Sequence, residues 1–175
     1  MQGNRHTDYV RNRKIYMNLH EIGIKHGTDK AATHLYMDNY EKHLSEWRDK
    51  EFTLLEIGVG NGSSIKMWRE AFPKAKVYGI DINPECIATG IFICNQNDKE
   101  LLDKVLSTTG GIDVVIEDGS HEGWRTIDTF KYLFPKLNDG GLYFVEDTAT
   151  FYNNHYSGEF KSNGRSEVFN FFTGL

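Results

Sequence analysis

Three carboxylates and an imidazole stand in two short stretches, Asp118-Gly119-Ser120-His121 and Glu146-Asp147, each at the end of an apolar run. If those runs are neighbouring strands, their backbones lie roughly 4.8 Å apart and the three acidic side chains converge at one rim. Like charges that close repel. A hard divalent cation with oxygen ligands removes the conflict, and two or three carboxylates completed by water and substrate oxygens suit Mg2+. The plainer alternative is a row of rim carboxylates, each partnered by Lys or Arg. His121, three residues past Asp118, can face the same pocket, where an imidazole with an ordinary pKa of about 6.5 serves as general base near neutral pH. A solvated loop histidine is the alternative for His121.

A second group surrounds Thr53-Leu54-Leu55-Glu56-Ile57-Gly58-Val59-Gly60-Asn61-Gly62-Ser63-Ser64. It reads as strand, tight loop and helix, with glycines that admit positive φ and a close ligand, and with unpaired N–H groups at the helix start. The dinucleotide fingerprint needs its third glycine where Ser63 stands, so a nicotinamide cofactor fits poorly. Asp81 closes the next strand 21 positions after Gly60, where a carboxylate can accept hydrogen bonds from both ribose hydroxyls of a nucleoside. A ligand-free turn and a surface carboxylate are the alternatives. Glu56, inside a strand that reads as buried, needs a cationic or amide-bearing neighbour.

The elements that must position these residues alternate strand and helix from Phe52 onward. Strands are expected at 53–57, 76–82, 91–94, 112–118 and 142–147. Helices are expected after the glycine loop to Pro73, through Leu101 to Leu106, and from Trp124 to Leu137 with Ile127, Phe130, Leu133, Phe134 and Leu137 inward. This predicts an α/β fold, a doubly wound, mostly parallel sheet with ligands at the carboxyl ends of its strands. Ahead of it, residues 1–50 read as an N-terminal helical cap with helices over Asp8–Gly23 and Thr33–Arg48, and residues 51–175 as the cofactor-binding domain. The polar stretch 25–30 between the helices reads as a loop; for His26, Lys30, His34 and Tyr36 solvation or packing is the expectation and contact with a ligand the alternative. The segment 151–156 reads as a surface loop, and 166–175 as a short helix.

Length and composition point to one soluble domain, with 39% apolar and 26% charged residues and no apolar run long enough to span a bilayer. Nine Lys and Arg face seven Asp and Glu in the first 50 residues, and eleven face eighteen in the remainder, within a net charge of −5. That balance argues against a nucleic-acid partner. The start lacks the apolar core of a secretory signal, which gives a cytoplasmic expectation, and Cys86 and Cys94 read as free thiols.

The glycine run and the Gly79-Ile80-Asp81-Ile82 strand end resemble the class I S-adenosylmethionine-dependent methyltransferases. A longer pattern runs from Gly27-Thr28-Asp29-Lys30 with His34 and Tyr40, through those motifs, to Glu117-Asp118-Gly119-Ser120-His121 and Val145-Glu146-Asp147. It is similar to the metal-dependent O-methyltransferases of macrolide sugars, the mycinamicin type, and to the related cephalosporin hydroxylase-like proteins. The resemblance implies Asp118, Glu146 and Asp147 as Mg2+ ligands and His121 as the base that takes the acceptor's proton. It also implies a S-adenosylmethionine pocket of Glu56, Gly58, Gly60, Asn61, Ser63, Asp81, Asn95, Gln96 and Asp118, with Asn95 or Gln96 near the adenine and Asn95 standing where relatives carry Asp. The implied acceptor is a hydroxyl of a sugar or other polyhydroxylated small molecule. The resembling fold has seven strands, so the last two are expected to be missing here, leaving strand five as an edge and a homo-oligomer as one way to cover it. A non-catalytic cofactor-binding or assembly module of the same fold, and a nicotinamide-dependent oxidoreductase, are the competing expectations.

Overall fold

The apolar runs of the sequence become five short strands: β1 (Thr53–Ile57), β2 (Lys76–Asp81), β3 (Ile91–Ile93), β4 (Val114–Glu117) and β5 (Leu142–Val145). The computed structural model describes residues 16–86, 90–152 and 167–175. The strands form one sheet in the order β3-β2-β1-β4-β5, with every pairing parallel. Strands three, four and five are shorter than expected, ending before Cys94, Asp118 and Glu146, so these polar residues lie beyond the ladder.

All five positions of β1 are buried, as a strand covered on both faces requires. Alternation then sorts the side chains. Leu54, Val114, Ile116, Leu142 and Phe144 pack with α1 (Leu19–His26), α3 (Met37–Leu44) and α4 (Ser63–Ala71). Leu55, Ile57, Val115 and Tyr143 pack instead with α5 (Lys99–Thr109) and α6 (Gly123–Leu133). Glu56 falls between Leu55 and Ile57 and therefore faces the first set of helices. Asp118 and Glu146 continue the parity of Ile116 and Phe144, so they leave their strands on that same side.

The N-terminal helices differ most from expectation. The helix read over Asp8–Gly23 is α1, which begins at Leu19 under a capping box of Asn18 and Glu21; residues 8–15 lie outside the described residues. It passes through Gly23, where a Cβ would stand 2.5 Å from the Ala31 Cβ. Gly23 thus permits close packing rather than ending the helix, and Gly27, left-handed at φ 68, is the stop. The expected polar loop contains a short helix, α2 (Asp29–Ala32). The expected helix over 33–48 is broken by Leu35 at φ 57, leaving α3 and a 3-10 turn at Ser45–Trp47.

Elsewhere the helices follow the pattern. Asp98 caps α5, accepting from the Leu101 N–H, and Gly110 ends it. The expected helix through Leu137 is α6 followed by a 3-10 turn at Phe134–Lys136, and the turn leaves Phe134 46% exposed against Phe130 rather than inward. Thr148–Tyr152 is a 3-10 turn rather than open loop, and residues 153–156 lie outside the described residues. The last helix, α7 (Glu167–Thr173), sets Phe172 against Phe130, with ring centres 5.0 Å apart. Cys86 and Cys94 are free and buried. No described helix is long and apolar enough to cross a membrane.

Candidate active site

Past β1 the backbone turns through Gly58, Gly60 and Gly62 at φ 83, 53 and 77. At Gly58 the reason is contact as well as conformation, since a Cβ there would lie 2.0 Å from the Asp118 carbonyl oxygen. The glycine loop is thereby seated against the end of β4. Asp81, at the end of β2, accepts from the Val59 and Gly60 N–H groups at 2.8 and 3.0 Å through Oδ2, and from the Asn83 N–H at 2.8 Å through Oδ1. Its partial burial acts to raise its pKa, but these three amide donors outweigh that and hold it below the ordinary aspartate value. Asn61 Oδ1 accepts from the Ser63 N–H at 2.9 Å, which closes the loop onto α4.

Two cavities meet at Gly58, Asp81 and Gly119. One, of about 290 Å³, has Ile57, Ile80, Ile82 and Cys94 as apolar walls, with Asn95 and Gln96 at its edge. The other, of about 410 Å³, is polar and reaches Lys30, Asn61, Ser64, Asp118, His121 and Asp147. An apolar recess joined to a charged chamber, hinged on a carboxylate, fits a molecule with a nucleoside at one end and charged groups at the other. Gln96 serves the wall: its Nε2 donates to Glu117 Oε1 at 2.9 Å, and its Oε1 accepts from the Ser120 N–H at 2.8 Å. Asn95 Oδ1 accepts from the Asn97 N–H at 3.1 Å.

In the polar chamber, Asp118, His121 and Asp147 each offer a ligand atom within 4.8 Å of the others. His121 Nε2 is 3.5 Å from Asp147 Oδ2 and 3.9 Å from Asp118 Oδ1. Both His121 and Asp147 are left-handed, at φ 57 and 50, a region that residues with a Cβ seldom occupy. Thr150 holds both, its hydroxyl reaching the Asp147 carbonyl at 2.7 Å and the His121 carbonyl at 3.3 Å. Tyr36 donates its hydroxyl to Asp147 Oδ1 at 2.6 Å and stacks on His34. The carboxylate oxygens of Asp118 and Asp147 around this polar space suit a hard divalent ion, with the His121 imidazole beside them.

Glu146 is placed differently. Tyr40 donates to its Oε1, and Lys30 Nζ lies 2.7 Å from its Oε2. Lys30 Nζ also bonds Asp118 Oδ2 and lies 3.4 Å from Glu56 Oε1, while Ser64 donates to Glu56 Oε2 at 2.8 Å. Lys30 is 1% exposed and Glu56 fully buried. Burial alone would push the Lys30 ammonium toward neutrality; the carboxylates of Glu56, Glu146 and Asp118 reverse that and hold its pKa above the ordinary lysine range. Burial pushes Glu56 up to about 7 against the opposing pull of Lys30 and Ser64. Burial likewise raises Glu146 and Asp118.

Lys30 is the residue that sequence reasoning misplaced, as a loop side chain. A signal existed in Glu56: a carboxylate inside a strand covered on both faces demands a cationic or amide-bearing neighbour. Tyr40 and Tyr36, read as helix packing or loop, both bond to carboxylates of the cluster.

No protein-family model matches the chain. It is 36% identical over 158 residues to 8-demethyl-8-alpha-L-rhamnosyl tetracenomycin-C 2'-O-methyltransferase of Streptomyces olivaceus, covering 84% of this chain and 42% of that protein. It is 35% identical over 146 residues to mycinamicin VI 2''-O-methyltransferase of Micromonospora griseorubida, covering 77% and 37%. Among solved structures it superposes on the MycE methyltransferase from the mycinamycin biosynthetic pathway in complex with Mg, SAH and mycinamycin VI. That match has a TM-score of 0.79 at 30% identity, over 90% of this chain and 47% of that one. The chain therefore spans less than half the length of the relatives it matches.

Proposed function

We propose that this chain, a relative of the class I S-adenosylmethionine-dependent methyltransferases of the mycinamicin type, carries the donor and metal sites of a sugar O-methyltransferase. The acceptor is a hydroxyl on a sugar-containing natural product or saccharide. The observation that carries the reading is the shared chamber: Asp118, His121 and Asp147 face the same space as the glycine loop and Asp81.

In this reading Asp81 and the loop amides bind the nucleoside of S-adenosylmethionine, with Asn95 and Gln96 bounding the adenine side. Glu56, Gly58, Gly60, Asn61, Ser63 and Asp118 complete the pocket. Asp118, Glu146 and Asp147 would hold Mg2+, since each oxygen of Glu146 keeps a lone pair beyond its hydrogen bond to Tyr40 or Lys30. Bound there, the ion supplies positive charge that lowers the pKa of a nearby hydroxyl. His121 takes the hydroxyl proton, and the acceptor oxygen then attacks the methyl carbon of the sulfonium. The new C–O bond forms as the C–S bond breaks, its electron pair stays on sulfur, and the proton on His121 passes to solvent. Methyl transfer asks the protein chiefly for alignment, which the rigid strand tips provide.

Titrating the 175-residue chain with S-adenosylmethionine tests the donor half, and absence of binding to a folded sample rejects it. Given a glycosylated acceptor, His121→Ala is expected to lower turnover by on the order of 10²- to 10⁴-fold with donor affinity unchanged. Near-normal turnover would remove His121 as base. Donor binding without transfer to any acceptor would favour the non-catalytic module.

A further inference from the structure

Lys30 arrives at the cluster from a four-residue helix, and placing its ammonium there is expensive. Ordering a lysine side chain costs rotamer entropy, and removing its charge from water costs more still. Its surroundings are those of a metal. Three carboxylates, from the middle of β1 and from beyond β4 and β5, turn oxygens toward one nitrogen. Glu56 Oε1, fully buried, approaches it to 3.4 Å and has no hydrogen-bond partner among the described residues. Asp118 is shared, with Oδ2 on Lys30 and Oδ1 facing His121, as a carboxylate bridges two ions. Paired ions in two-metal sites lie about 3.5–4 Å apart, and a carboxylate with one oxygen on each is a common bridge between them.

We infer that Lys30 is a positioning residue whose ammonium stands in for a second cation, fixing Glu56, Glu146 and the inner oxygen of Asp118 and limiting the site to one divalent ion. This rests on the metal reading given above for Asp118 and Asp147. Charge counting agrees. Glu56, Asp118, Glu146 and Asp147 bring four negative charges when ionised; Lys30 and one divalent ion leave a single one uncompensated. Without Lys30, one divalent ion leaves two, and a second ion is drawn to the place the ammonium held.

The test is Mn2+ binding alone, with neither donor nor acceptor, to the metal-free 175-residue chain, read by calorimetry and by loss of the free-ion electron paramagnetic resonance signal. Wild type is expected to take one Mn2+ per chain and Lys30→Ala two. Unchanged or reduced stoichiometry in Lys30→Ala overturns the inference, whatever the wild-type count. If wild type takes none and Lys30→Ala takes one, the metal reading fails and the stand-in role of Lys30 survives. If Lys30→Ala does not fold without metal, circular dichroism is followed while Mn2+ is added: recovery of the fold supports the inference, and a chain still unfolded at millimolar Mn2+ overturns it. A lysine with a merely packing role would leave the ion count where it was.

Discussion

His121 and Asp147 combine the chemistry of the site with its backbone strain. Left-handed φ at a residue with a Cβ costs roughly 1–2 kcal/mol, and here it occurs at two residues whose side chains lie 3.5 Å apart. Thr150, through the two backbone carbonyls, and Tyr36, through the Asp147 carboxylate, hold that arrangement. Asn tolerates the left-handed region as Asp does and carries no charge to repel Asp118. Asp147→Asn is therefore expected to stabilise the metal-free chain by about 1 kcal/mol, a rise in Tm of roughly 2–4 °C, while weakening divalent-ion binding. Thermal melts with and without Mg2+ check both directions. A fall in Tm without metal would show that the Asp147 carboxylate is held favourably rather than under strain.

At the scale of elements, the β1–α4 loop and the end of β4 are fitted to each other through Gly58. Gly58→Ala is expected to cost at least about 2 kcal/mol, from positive φ together with a Cβ driven into the Asp118 carbonyl. It should lower donor affinity and metal affinity together, because one shift moves both loops; titrations of the two ligands, run separately, test this. The strands and most helices were legible because their signals are local: apolar runs, period-3.6 stripes and the stop at Pro73. The convergence of Asp118 with Asp147 followed from strand adjacency. What was not legible depended on distant partners. Gly23 looked like a helix stop because Ala31, which packs against it, is eight residues on. The direction of Lys30 is set by carboxylates 26, 88 and 116 positions away, which no local window contains.

At the scale of the molecule, residues 16–50 and the sheet share one core. Leu19, Ile22, Met37, Tyr40 and Leu44 lie in the same cluster as Leu54, Trp68 and Ile116. Burying side chains of this size is worth about 1.5–3 kcal/mol each, so these helices do not detach cheaply. Hydrogen exchange is expected to show amides of α1 and α3 opening with the same free energy as β1, in one cooperative unit. Markedly faster exchange in the helices would make them a separate flap. The carboxylates that Lys30 serves belong to β1 and to the loops after β4 and β5, so lifting α2 away would leave three anions without their shared cation. One nitrogen thus rivets α2 to three strands at once, and the wall of the polar chamber that α2 supplies stands or falls with that ammonium.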